Sequence, residues 1–238
     1  MYVKQEEKGL TLPARREMME TGHSRERDGG TDMKKTVIFD FDGTLVASRD
    51  LAVRLFNELS GTYGYRRIQE EEIPALAALS VPDRLRAIGC PMYKLPSLLF
   101  EIKRRYKQAV TELEPVDGMP EVMRELRSRG IRTGILSSNR PDNIRAFLGR
   151  GGWDEPDFLF TATNLFGKDR AIRSLLRAER LQPEEALYVG DELRDIEACR
   201  RVSLPVAAVT WGYDAEDLLR GAAPDHVLGR PRELLELV

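Results

Sequence analysis

Two acids separated by one residue, Asp40 and Asp42, open the run Asp40-Phe41-Asp42-Gly43-Thr44-Leu45. On a chain leaving a strand they point to the same side, with Phe41 turned away. Carboxylates held that close repel unless a cation joins them, and an all-oxygen pair suits Mg2+. Gly43 lets the chain turn sharply and bring backbone N–H groups toward a bound anion. Asp and Gly are also ordinary turn and cap residues, so the run alone carries either reading. Further along, Ser137-Ser138-Asn139 precedes Arg140-Pro141. Two hydroxyls and an amide before a helix make an anion cradle, and equally an N-cap. Gly167-Lys168 fails the P-loop pattern, because Ala162 stands five residues before Gly167 and no Ser or Thr follows Lys168. A lone lysine is by type a surface residue. In Gly190-Asp191-Glu192-Leu193-Arg194-Asp195 the acids Asp191 and Asp195 are four apart, on one side of a helix starting near Glu192. Capping accounts for Asp191 but not for both.

These residues need a frame, and the hydrophobic pattern supplies one. Short apolar runs predict strands at Thr36–Asp40, Arg132–Leu136, Phe158–Thr161, Ala186–Val189 and Val206–Thr210, with a weaker one at His226–Leu228. Their unbroken apolar character fits a parallel sheet covered on both faces. Helical patterns lie between them at Met119–Arg129, Arg140–Leu148, Asp169–Glu179, Leu193–Arg201 and Ala215–Arg220. Alternation of this kind predicts an α/β, Rossmann-like doubly wound sheet. Each candidate motif then falls at the C-terminal end of a strand, where such sheets bind ligands.

One stretch breaks the alternation. Residues 49–113 show helical segments at Asp50–Leu59, Glu70–Leu79, Pro82–Ile88 and Pro96–Leu113 and no strand. That is far longer than the usual βα loop of about 2–6 residues. It predicts an inserted all-helical subdomain, flanked near Ser48 and Glu114-Pro115, on a core of residues 33–48 and 114–238. The run Lys103-Arg104-Arg105-Tyr106-Lys107 reads as a solvated helix face. Residues 1–32 have no hydrophobic period and are expected to form a disordered, dispensable tail ahead of Met33.

Composition removes several classes of function. With 37 basic and 39 acidic residues, nothing electrostatic points to nucleic acid. No apolar run approaches the roughly 20 residues that span a bilayer. Two cysteines cannot build a disulfide framework, nor do they combine with the two histidines at a zinc-finger spacing. A cytoplasmic location is expected, and the oligomeric state is not readable.

The order of the motifs resembles the haloacid dehalogenase superfamily of phosphohydrolases: Asp-x-Asp-Gly-Thr at Asp40–Thr44, then Ser137, then Lys168, then Gly-Asp-x-x-x-Asp at Gly190–Asp195. The resemblance covers residues 34–238 and is nearest the phosphoglycolate-phosphatase-like and β-phosphoglucomutase-like members, whose helical cap sits where residues 49–113 do. It implies Asp40 as nucleophile and Asp42 as general acid and base. It implies Mg2+ held by Asp40, the Asp42 carbonyl and Asp191, with Asp195 in support. Ser137, the Ser138 amide and Lys168 would bind the phosphoryl group, with Gly43 and Asn139 supporting. The implied activity is hydrolysis of a small phosphorylated metabolite such as a phosphoglycolate-like ester or a sugar phosphate. A phosphosugar mutase and a catalytically silent phosphate-binding protein are the alternatives. Asp42 argues against dehalogenation, because the dehalogenating members lack that acid. Cap residues Arg49, Arg84, Tyr93 and Lys94 are candidate substrate contacts.

Overall fold

The computed structural model describes residues 35–150, 152–162 and 167–238. The expected tail lies outside the described residues. Six strands form one parallel sheet: β1 (Thr36–Phe39), β2 (Arg132–Ser137), β3 (Phe158–Thr161), β4 (Ala186–Gly190), β5 (Val206–Val209) and β6 (His226–Leu228). Their order is β3-β2-β1-β4-β5-β6. The chain moves outward from β1 on one side and returns to the other side with β4, so the order reverses between β1 and β4. A crevice opens at that reversal, beyond the strands' C-terminal ends.

Alternating side chains feed two cores. Val37 and Phe39 of β1, Leu187 and Val189 of β4, and Ala207 and Val209 of β5 join one cluster with α5 (Met119–Ser128) and α6 (Pro141–Leu148). Ile38, Tyr188, Val206 and Ala208 point the other way, against α7 (Lys168–Glu179), α8 (Leu193–Arg200) and α9 (Glu216–Gly221). A strand has a period of two, so apolar residues at every position require a covering layer on each face.

Between β1 and α5 lie four helices: α1 (Arg49–Tyr63), α2 (Ile73–Ala77), α3 (Val81–Ala87) and α4 (Leu95–Ala109). In α1, Leu51, Leu55 and Leu59 follow a four-residue spacing; the first two pack in the main core and the third in a separate cluster with Leu76, Leu85 and Leu98. Helix α4 does the same, with Tyr106 in the main core and Leu95 and Leu98 in the separate cluster. The two long helices thus run from the sheet into the insert's own core. Where the chain enters and leaves the insert, Ala47 N–H donates to Glu114 O at 3.0 Å and Val116 N–H to Leu45 O at 2.9 Å.

Three helices differ from expectation by more than one residue at an end. Helix α1 continues past Leu59 to Tyr63 and stops at Gly64, which is left-handed with φ +79°. The expected helix Glu70–Leu79 is a 3-10 turn at Glu70–Glu72 followed by only five α-helical residues, with Pro74 in the first turn. At the end of α4 the last turn tightens to 3-10 over Val110–Glu112, and Leu113 is extended.

Candidate active site

Asp40 and Asp42 directly follow the end of β1. Phe41 is fully buried and meets Phe147 edge-on, with ring centroids 5.4 Å apart. That anchors the turn and leaves Asp40 and Asp42 at the crevice. Gly43 has φ +77°, and a Cβ there would come within 2.1 Å of Asp191 Oδ2. Its own N–H donates to Val46 O at 3.0 Å, so Gly43 serves the site by making room for Asp191 rather than by offering an amide to an anion.

Asp40 is nearly fully buried; Oδ1 accepts from Phe41 N–H at 2.7 Å and Oδ2 from Lys168 Nζ at 2.6 Å. Lys168 opens α7, so the residue that looked like a surface lysine is 6% exposed. It also donates to Asp195 Oδ1, and its ammonium lies 5.2 Å from the centre of the Tyr188 ring. Burial works against the Lys168 charge, but Asp195 and Asp40 outweigh it and hold its pKa above the ordinary lysine value. Burial, reinforced by Asp195 and opposed by Lys168, lifts Asp40 from the usual 3.8 to about 6.

Asp42 has different company. Tyr106 of α4 donates to Oδ1 at 2.5 Å and Asn139 Nδ2 to Oδ2 at 3.0 Å. Burial raises its pKa, and these two donors pull it back. Asn139 is positioned in turn by Asn143 of α6, which donates to its Oδ1 at 2.8 Å. Ser137 Oγ accepts from Asn139 N–H at 3.0 Å, which leaves the hydroxyl proton available. Ser138 is half-buried beside it.

Beyond β4, Asp191 is fully buried: Oδ1 accepts from Thr44 Oγ1 at 2.9 Å and Oδ2 from Tyr213 N–H at 2.8 Å. Burial first, then Glu192, Asp40 and Asp195, push its pKa well above the carboxylate range. Oxygens of Asp40, Glu192 and Asp195 all lie within 4.8 Å of one another. Four buried carboxylates, Asp40, Asp191, Glu192 and Asp195, therefore gather beside Lys168 and Arg194, whose guanidinium binds Glu192 through Nε at 2.6 Å. Such an excess of buried acid is costly without a further cation, and an all-oxygen set suits a hard divalent ion.

The structure thus brings Asp40, Lys168, Asp191 and Asp195 to one place, and Asp42 with Asn139 to its side. Glu192, Arg194, Tyr106 and Tyr213 were not singled out from the sequence. Of the candidate cap contacts, Tyr93 is 82% exposed and Lys94 donates to Tyr63 O at 3.0 Å. Arg84 makes an ion pair with Asp214 at 2.6 Å.

The acid–lysine cluster stands at the reversal point of an open α/β sheet, where doubly wound folds bind their ligands. The sequence profile of the haloacid dehalogenase-like hydrolases matches residues 37–209. A phosphoglycolate phosphatase of Synechococcus elongatus is 38% identical over 205 residues, covering 86% of this chain and 97% of its own. A pyrophosphatase of Bacillus cereus is 26% identical over 208 residues, covering 85% of this chain and 95% of its own. A haloacid dehalogenase-like hydrolase from Bacteroides fragilis superposes with a TM-score of 0.73 at 20% identity, over 84% of this chain and 99% of its own. This chain belongs to the haloacid dehalogenase-like hydrolase family, and it is an enzyme. Among the described residues no helix is long and apolar enough to cross a membrane.

Proposed function

We propose that this chain is a Mg2+-dependent phosphomonoesterase that works through an aspartyl-phosphate on Asp40. The observation that carries the reading is the division of labour between the paired acids. Asp40 faces an ammonium and a cluster of acids, whereas Asp42 faces two neutral donors. Asp40 attacks phosphorus in line as the P–O bond to the leaving group breaks, and Asp42 delivers its proton to the departing oxygen. Asp42 is then a carboxylate and takes a proton from the water that cleaves the P–O bond to Asp40, releasing phosphate. Lys168 remains charged and, with the Ser137 hydroxyl and the Ser138 amide, binds the phosphoryl oxygens. Mg2+ held by Asp40, the Asp42 carbonyl and Asp191, with Asp195 and Glu192 close by, would neutralise charge spreading over the phosphoryl group.

Residues 49–113 act as a cap over a core of residues 33–48 and 114–238, with hinges at Ala47–Arg49 and Leu113–Val116. The named activity of the Synechococcus relative supports a small phosphorylated metabolite as substrate. Release of inorganic phosphate from p-nitrophenyl phosphate should require Mg2+, stop with a chelator and vanish in Asp40→Asn. Turnover that persists in Asp40→Asn would overturn the reading.

A further inference from the structure

Among the helices of the insert lies a pocket of about 190 Å³. Val53 and Phe56 of α1, Ile73 of α2, Val81 and Leu85 of α3 and Leu99 of α4 form its wall. Val53, Phe56, Ile73, Val81 and Leu99 are half-buried, so the space is an open apolar pocket rather than an enclosed void. An apolar cavity of roughly 150 Å³ takes up molecules of about benzene's size. This pocket is larger, and it is not isolated. Glu192 and Tyr213 complete its wall. Glu192 is the carboxylate that lies within 4.8 Å of Asp40 and Asp195. Tyr213 donates its N–H to Asp191, and its hydroxyl is 3.0 Å from Ser48 Oγ. Glu192 therefore borders both the apolar space and the acidic cluster, with Tyr213 beside it.

The charged groups in the wall have protein partners. Arg84 donates to Leu76 O and Leu79 O at 2.9 Å each and to Asp214 at 2.6 Å. Arg49 donates to Gly212 O at 3.2 Å. A short anionic leaving group, such as that of phosphoglycolate, would leave the apolar wall uncovered.

We infer, resting on the phosphomonoesterase reading, that the pocket receives the leaving group of the substrate and selects monoesters of alcohols or phenols with an apolar body of about six to eight carbons. The phosphoryl group lies at Asp40 and Lys168, and the apolar body passes Glu192 and Tyr213 into the insert. The released alcohol carries the proton given by Asp42.

The test is a series of n-alkyl phosphates, methyl to octyl, assayed with Mg2+, alongside calorimetric binding of the matching n-alkylphosphonates, which cannot be hydrolysed at the ester position. Each methylene buried is worth roughly fourfold. Both kcat/KM and phosphonate affinity should climb by about that factor per carbon and level off once the pocket is full. Val53→Trp, its fold checked by circular dichroism, should flatten both slopes. Flat or falling series in the unmodified protein, with methyl phosphate still hydrolysed, would overturn the pocket assignment and leave the phosphatase reading standing. Phosphonate affinity that climbs while no ester is hydrolysed would uphold the pocket and overturn the phosphatase reading.

Discussion

A tyrosine hydroxyl can donate to a carboxylate and accept from a carboxylic acid, so Tyr106 can stay bonded to Asp42 in both of its protonation states. Burial and the Asp42 charge keep the Tyr106 phenol protonated, so the tyrosine positions Asp42 without competing for its proton. Tyr106→Phe removes one donor to a charged acceptor, an interaction worth roughly 1.5–3 kcal/mol. We expect kcat to fall by on the order of tenfold or more with KM little changed. Steady-state kinetics within twofold of the parent would contradict this role. The tyrosine was hidden in the basic run Lys103–Lys107, which reads as a solvated face. In the structure Lys103, Arg104 and Lys107 are exposed as that reading expects, while Tyr106 alone in the run is buried. A helical stripe through Leu98, Ile102, Tyr106 and Val110 marks it as inward-facing. No local pattern shows that its hydroxyl reaches an acid 64 residues away.

Between elements, Asp214 joins the insert to the sheet. Its Oδ1 accepts from Arg84 of α3 at 2.6 Å and its Oδ2 from Leu193 N–H, the first residue of α8, at 2.6 Å. The same carboxylate therefore ties the insert to the helix that carries Asp195. Arg84→Ala leaves Asp214, whose side chain is 2% exposed, without its counter-charge. Arg84 keeps some solvent contact, so the cost is set below the fully buried range, at about 2–3 kcal/mol. A thermal melt should shift down by roughly 4–12 °C. Arg84→Ala and Asp214→Ala combined should cost less than the sum of the two, and strict additivity would mean that the pair does not couple. The strands were legible as short unbroken apolar runs and the core helices as the periodic stretches between them. The insert's boundaries were less so: Gly61 and Thr62 interrupt the apolar stripe of α1 although the backbone stays helical to Tyr63.

Over the whole molecule, the arrangement of the site follows from chain order. Asp40, Lys168 and Asp191 come from three separate strand-to-helix connections, and only the parallel sheet makes them neighbours. That much was legible, because successive strands placed each motif on the same edge. Glu192 was not, since a residue between two expected acids reads as filler until the fold shows where its carboxylate turns. The acid cluster also links stability to pH. Asp40 has its pKa raised from 3.8 to about 6 in the fold. The folded, metal-free protein therefore holds a proton that the unfolded chain releases between those values. The stability gained from that proton is full below about 3.8 and lost as pH rises through about 6. Mg2+ needs the carboxylate, so the rise in melting temperature on adding Mg2+ should grow as pH increases across this window. Differential scanning calorimetry with and without Mg2+ reads this directly. Asp40→Asn should reduce the growth, the remainder coming from Asp191, whose pKa is raised as well, and a Mg2+ increment independent of pH in the parent protein would count against Asp40 as a ligand.

The central claim is that Asp40 carries the phosphoryl group and Asp42 moves the protons, and it is tested most directly by rapid mixing of Asp42→Asn with p-nitrophenyl phosphate and Mg2+. Nitrophenolate leaves without needing a proton, so the first step survives. The second loses its base, which costs roughly 10²–10⁴ in rate. The account predicts a burst near one nitrophenolate per site, then slow turnover, with a hydroxylamine-labile phosphate on the acid-quenched protein that Asp40→Asn never shows. Equal loss of burst and steady state in Asp42→Asn, or a labile phosphate that persists in Asp40→Asn, would contradict it.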